Sequence, residues 1–123
     1  MTVLLVLLGG AVGAPVRYLT DVIVRARHDS VFPWGTFAVN VVGSFILGAT
    51  VSSVVNAGAP TWVQALIGAG FCGALTTFST FGFETVRLVE DGHWWKACTN
   101  VSASIVAGYA ACALGWTLVG WLA

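Results

Sequence analysis

Four apolar runs, each long enough to cross a bilayer, occupy nearly all of the chain, over residues 3–24, 32–55, 61–89 and 94–122. A membrane-crossing helix takes about 20 predominantly apolar residues, and within lipid only helices and closed barrels satisfy their own backbone groups. The chain therefore reads as an all-α membrane protein, a single domain of four transmembrane helices over residues 1–123, with no room for a separate soluble domain. Only 8% of its residues are charged, against about 25% in soluble domains. That excludes a water-soluble globule, and a chain so apolar has no reason to remain disordered. Five Lys+Arg balance five Asp+Glu, and no basic stripe suggests nucleic acid. Cys72, Cys98 and Cys112 form no CxxC pair and sit inside apolar stretches, where thiols act as small packing groups. The first run has no basic residue before it and continues past Ala14, so it reads as a span rather than a cleaved signal.

The connectors carry turn and interface signals: Arg25-Ala26-Arg27-His28-Asp29, then Asn56-Ala57-Gly58-Ala59-Pro60, then Glu90-Asp91-Gly92-His93. Trp34, Trp62, Trp94, Trp95 and Trp121 fall near span ends, where amphipathic rings sit at headgroup depth. Arg25, Arg27, Arg87 and Lys96 all belong to the first and third connectors or their flanks, and the second connector and both termini carry no Lys or Arg. The positive-inside rule then places those connectors in the cytoplasm of a multi-pass cell-membrane protein, with both termini outside.

Lipid gives helices no hydrophobic reason to associate, so contact depends on close packing and hydrogen bonds. Gly9 with Gly13, Gly10 with Ala14, Gly43 with Leu47 and Gly48, and Gly108 with Cys112 make slim faces at helical spacing. Most of this serves packing within one subunit. Four helices enclose little interior, however, and the polar residues inside the spans point to an oligomer.

The third run contains Gly73-Ala74-Leu75-Thr76-Thr77-Phe78-Ser79-Thr80-Phe81 near its middle. Either the helix continues, its hydroxyls bonding to carbonyls one turn back, or it breaks and frees carbonyls that can hold a cation. Asn40 and Ser44 lie one turn apart on the second run, as do Asn100 and Ser104 on the fourth. An amide in hydrocarbon needs a partner, so each reads equally as an interhelical bond or as lining of a polar path. Arg17 and Glu84 are ionisable groups inside spans, which mark functional candidates. Arg17 could instead snorkel, and Glu84 is placed to pair with Arg87 three residues on. Phe78 and Phe81 share a helix face. An aromatic ring has a positive edge, so with donors from Asn40, Ser79, Thr80 and Ser104 they suit a small, strongly hydrated anion moving by stepwise exchange.

Three ordered stretches carry a family resemblance. Gly9 to Tyr18 reads GGAVGAPVRY, Trp34 to Phe45 reads WGTFAVNVVGSF, and Gly70 to Phe81 reads GFCGALTTFSTF with Glu84 following. Together they resemble the Fluc, or CrcB-type, fluoride channels of microorganisms, and the likeness runs the length of the chain. The resemblance implies an antiparallel, dual-topology dimer with two fluoride pores and a third helix broken near the midplane. It makes Phe78, Phe81 and Asn40 pore residues, with Ser79, Thr80 and Glu84 on the polar side of the path, Ser104 retained on the fourth helix, and Arg17 in a vestibule. It also implies a structural, untransported sodium ion held by the backbone carbonyls of Gly73 and Thr76. The function implied is passive export of cytoplasmic fluoride, which protects cells that hydrogen fluoride enters uncharged.

The chain departs from that pattern at Asn100, where the family usually has tyrosine, and at Ala74, often glycine. With loop charge this one-sided, an antiparallel dimer calls for a second, oppositely biased chain, so half of a heterodimer with a paralogous subunit stands evenly beside a homodimer. Two other readings compete. A small proton-coupled multidrug exporter would need a buried carboxylate in the first helix, where Asp21 lies only near the end. A non-transporting structural subunit would be indifferent to changes at Phe78 and Phe81. An enzyme is the weakest reading, since no nucleophile–base pair or metal-ligand cluster is visible.

Overall fold

The computed structural model describes residues 2–27 and 32–122. Among them all regular structure is helical, and four helical stretches are long and apolar enough to cross a membrane. The predicted spans are therefore present. Helix α1 covers Thr2–Arg27 and α2 covers Trp34–Asn56. The third stretch has two parts. Its first, α3 (residues 61–75), starts as α-helix over Thr61–Val63, winds as π-helix over Gln64–Cys72 and ends as α-helix over Gly73–Leu75. Its second, α4, covers Ser79–Glu90, and α5 covers Trp94–Leu122.

Helix α1 runs three residues beyond the expected end at Val24, so Arg25 and Arg27 form its last turn rather than a connector. Basic side chains there complement the helix dipole. His28 and Asp29 of the expected connector lie outside the described residues. Pro15 does not interrupt α1; membrane helices tolerate proline when neighbours satisfy the freed carbonyl. Between α4 and α5, Gly92 takes φ +82° and the His93 amide donates to the Leu88 carbonyl at 2.8 Å. This is a glycine stop that an L side chain would resist.

Two helix pairs build the fold. Helix α1 lies along the π-helical part of α3, and α2 lies along most of α5. The first pair is a backbone-on-backbone contact. A Cβ on Gly9 would collide with the Leu66 carbonyl and come within 2.7 Å of the Phe71 nitrogen, and one on Gly70 would sit 2.7 Å from the Val6 carbonyl. In the second pair, Gly48 faces the Cys112 backbone and Gly115 faces that of Phe45. Ser52 Oγ then reaches the Trp116 carbonyl at 2.8 Å. The small-residue faces thus act inside the subunit, bringing helices close enough for dispersion and hydrogen bonding to hold them.

What the protomer buries is unusual. Val39, Cys72, Leu75, Leu88 and Ala97 share the interior with Thr36, Thr50, Ser52 and Asn100. The long apolar side chains of α1 and α5 face outward, and Trp34, Trp62, Trp94, Trp95 and Trp121 are exposed at helix ends. A bundle with a polar centre and an apolar exterior is the arrangement lipid requires.

Candidate functional site

The site is built around the gap between α3 and α4. Helical geometry ends at Leu75; Thr76 is extended, with φ −78° and ψ 159°, and helix resumes at Ser79. In a continued α-helix the Thr77 amide would bond the Gly73 carbonyl one turn back. Instead it donates to Asn40 Oδ1 at 2.8 Å, while Asn40 Nδ2 donates to the Thr77 carbonyl at 3.1 Å. Thr77 Oγ1 accepts from the Thr80 amide at 3.2 Å, as an N-cap hydroxyl does at a helix start. Thr76 Oγ1 bonds back to the Cys72 carbonyl at 2.8 Å. One turn of α2 arranges this. Asn40 clamps the gap, Gly43 leaves room for the Thr76 methyl that its own Cβ would strike, and Ser44 Oγ donates to the Asn40 carbonyl at 2.7 Å.

Beside the gap lies an open groove of about 530 Å³, lined by Asn40, Ser44, Thr76, Phe78, Phe81 and Ser104 among others. The two rings have centroids 6.1 Å apart and are tilted 46°. Phe81 is half-buried, whereas Phe78 stands on the rim at 85% exposure. Gln64 Oε1 also reaches this wall, buried and without a hydrogen-bond partner among the described residues. Among the described residues, no charged side chain lines the groove.

Glu84, Thr80 and Arg17 gather elsewhere. A cleft of about 540 Å³ near the ends of α1 and α4 is lined by Asp21, Arg25, Thr80, Glu84, Arg87 and Asp91, with other residues. A smaller cavity of about 170 Å³ holds Arg17, Asp21, Thr36, Thr77 and Thr80. Thr80 borders both cavities, and Thr77 borders the smaller one and the groove. Two hydroxyl-bearing residues, Thr80 and Thr77, thus stand between the charged cleft and the groove. Glu84 does not pair with Arg87 as its spacing suggested. The Thr36 hydroxyl donates to Glu84 Oε1, and the one ion pair among the described residues joins Arg25 to Asp21 at 3.2 Å. A partner across the helix interface outcompetes an exposed local charge pair, which is worth little.

Of the residues singled out from sequence, the groove brings together Phe78, Phe81, Asn40 and Ser104, with Gly73 and Thr76 on the same wall. Ser79 is exposed and borders none of these three cavities. Asn40 faces the groove with part of its amide already engaged by Thr77. Sequence reasoning assigned no role to Thr36, Thr77 or Thr85. Thr36 stands one turn before Asn40 and Thr85 directly after Glu84, so the signal was their register with polar residues already noted.

Residues 4–116 match the family described as CrcB-like protein, Camphor Resistance (CrcB). A Frankia casuarinae protein named fluoride-specific ion channel FluC 1 is 53% identical over 124 residues, spanning 96% of this chain and 95% of its own. Proteins of the same name are 50% identical in Streptomyces avermitilis, over 94% of this chain and 93% of theirs, and in Nocardia farcinica, over 99% and 83%. A match across nearly every residue that forms the clamp, the groove and the charged cleft leaves one assignment: the chain belongs to the CrcB-like family.

Proposed function

We propose that the chain conducts fluoride passively and selectively across the cell membrane, exporting it from the cytoplasm. The observation that carries this reading is the Asn40-clamped gap beside the Phe78–Phe81 pair in a groove free of charged side chains. A small anion there meets ring edges, the Ser104 hydroxyl and the free N–H of Asn40. Such contacts replace hydration water in steps without trapping the ion as a lysine would. From the charged cleft, Thr80 and Thr77 lead inward to the groove. The names of the relatives agree.

In this reading two copies pack antiparallel, so that the open groove of each is closed by its partner. With Thr76 extended and the Thr77 amide diverted, the carbonyls of Gly73 and Thr76 are freed on an open face: a Cβ on Gly73 would meet nothing within 4 Å. These are hard oxygen donors of the kind sodium takes, and the residues present fit the ion. Bound there, sodium would supply a fixed positive charge that holds two such gaps together. The one-sided distribution of Arg25, Arg27, Arg87 and Lys96 supports a topology with both termini outside and pairing with a paralogous chain of opposite bias. A proton-coupled exporter has less support, because Asp21, the only acid of α1, is partly exposed and paired with Arg25.

The test is anion efflux from liposomes containing the purified chain, with and without a coexpressed paralogue. Fluoride efflux far above chloride is the expected result. Equal fluxes, or none in either preparation, would reject the channel, and robust efflux by this chain alone would reject the heterodimer.

A further inference from the structure

Asn100 is 1% exposed, among the most completely buried side chains of the protomer, and it stands at the centre of a hydrogen-bonded chain. Its Nδ2 donates to Thr85 Oγ1 at 2.9 Å. Thr85 Oγ1 donates in turn to the Phe81 carbonyl at 2.8 Å. On the other side Ser104 Oγ donates to Asn100 Oδ1 at 3.4 Å. Asn100 therefore joins α5 to α4 and is linked on either side to Phe81 and Ser104, both of which line the groove.

The donor directions give this arrangement its meaning. A hydroxyl has one proton and two lone pairs. Because Thr85 Oγ1 accepts from Asn100, its own proton is committed to the Phe81 carbonyl, and Phe81 is held in register with α5 rather than by α4 alone. The bond from Ser104 is different. At 3.4 Å it lies at the weak end for O–H donors, and a bare anion accepts hydrogen bonds more strongly than a neutral amide oxygen. The Ser104 O–H is thus held loosely toward Asn100 Oδ1 and can turn to an ion in the groove.

We infer that Asn100 is the positioning residue of the path: acting through Thr85 it fixes where the Phe81 ring stands, and through Oδ1 it holds the Ser104 hydroxyl ready for the anion. The inference rests on the fluoride-channel reading for its effect on flux, but not for its effect on Phe81.

The experiment compares Asn100→Leu, Thr85→Val, the double variant and Thr85→Ser in liposome efflux at equal amounts of assembled protein. It is paired with 19F NMR of the chain carrying Phe81→4-fluorophenylalanine. Each of the first two variants should lower fluoride efflux about ten-fold, the scale of one buried hydrogen bond. The double variant should fall no further than the worse single. Thr85→Ser keeps Oγ1 and should keep both the flux and the resonance. Asn100→Leu and Thr85→Val should move the fluorine resonance in the same direction. If Asn100→Leu fails to fold, Thr85→Val, which conserves shape, carries the test alone. Losses that multiply in the double variant, or a resonance unmoved by Thr85→Val, would overturn the inference. If the unsubstituted chain passes no fluoride, the channel reading fails, and the resonance still decides whether Asn100 positions Phe81.

Discussion

The Asn40 carboxamide holds both backbone groups of Thr77, accepting from its N–H at 2.8 Å and donating to its carbonyl at 3.1 Å. Each satisfies in the other what the membrane cannot, since an unpaired amide at that depth has no water to turn to. The pair sits where helical geometry ends at Leu75 and resumes at Ser79.

Replacing Asn40 with leucine, of similar volume, should leave the Thr77 N–H and carbonyl unpaired. The expected loss is about 1–3 kcal/mol for each buried group left unsatisfied. It is measured as a lowered unfolding midpoint in detergent, with fluoride efflux reduced beyond what the fall in folded protein explains. An unchanged midpoint would mean that the gap is held by something other than this clamp.

Glycine substitutions should divide sharply by position. Gly9→Ala puts a methyl against the Leu66 carbonyl and within 2.7 Å of the Phe71 nitrogen. Both neighbours are backbone and cannot move aside, so the α1–α3 contact should open at a cost of about 1–3 kcal/mol or more. Gly73→Ala meets nothing in the protomer. It should leave secondary structure and protomer unfolding unchanged while weakening assembly, read by crosslinking, if that face packs on a second copy.

Much of the architecture was legible because lipid imposes a simple rule: hydropathy located four spans whose ends shift by at most a few residues. The choice between a continuous and an interrupted third helix could not be made from Thr76, Thr77 and Ser79 alone, because hydroxyls serve either. The deciding partner, Asn40, comes from another helix, and such a contact is invisible to local spacing. Glu84 illustrates the same point. Its neighbour Arg87 is obvious in sequence, yet its bond is to Thr36, 48 residues away. The π-helical winding of Gln64–Cys72 had no sequence signal; within it Gly70 allows the close approach to α1, where a Cβ would sit 2.7 Å from the Val6 carbonyl.

Thr36 is 6% exposed and its hydroxyl donates to Glu84 Oε1. Thr36→Val keeps the shape and removes that donor, so the carboxyl loses its one neutral partner between α2 and α4. We expect about 1–3 kcal/mol of destabilisation and slower fluoride efflux. Glu84→Gln retains an acceptor for Thr36 and should unfold near the unsubstituted midpoint. If Thr36→Val is silent in both measurements, the contact is incidental.

Phe81 offers the most direct test of the ring-edge argument. Its ring lies 6.1 Å from that of Phe78 and borders the groove together with Ser104 and Asn40. Phe81→Ile preserves an apolar, half-buried side chain and so costs little in packing beyond the lost volume, of the order of 1–2 kcal/mol. What it removes is the quadrupole, whose positive edge attracts an anion and whose face repels one. Fluoride efflux should therefore fall by about ten-fold or more, since 1.4 kcal/mol of lost stabilisation at the narrowest contact already gives that factor. Assembly, followed by size-exclusion chromatography in detergent, should be unaltered. Phe78→Ile should act similarly if a second copy covers the groove and encloses Phe78, which stands 85% exposed on its rim. If both isoleucine variants pass fluoride at the unsubstituted rate, the rings are packing groups and the ion takes its contacts from the hydroxyls alone.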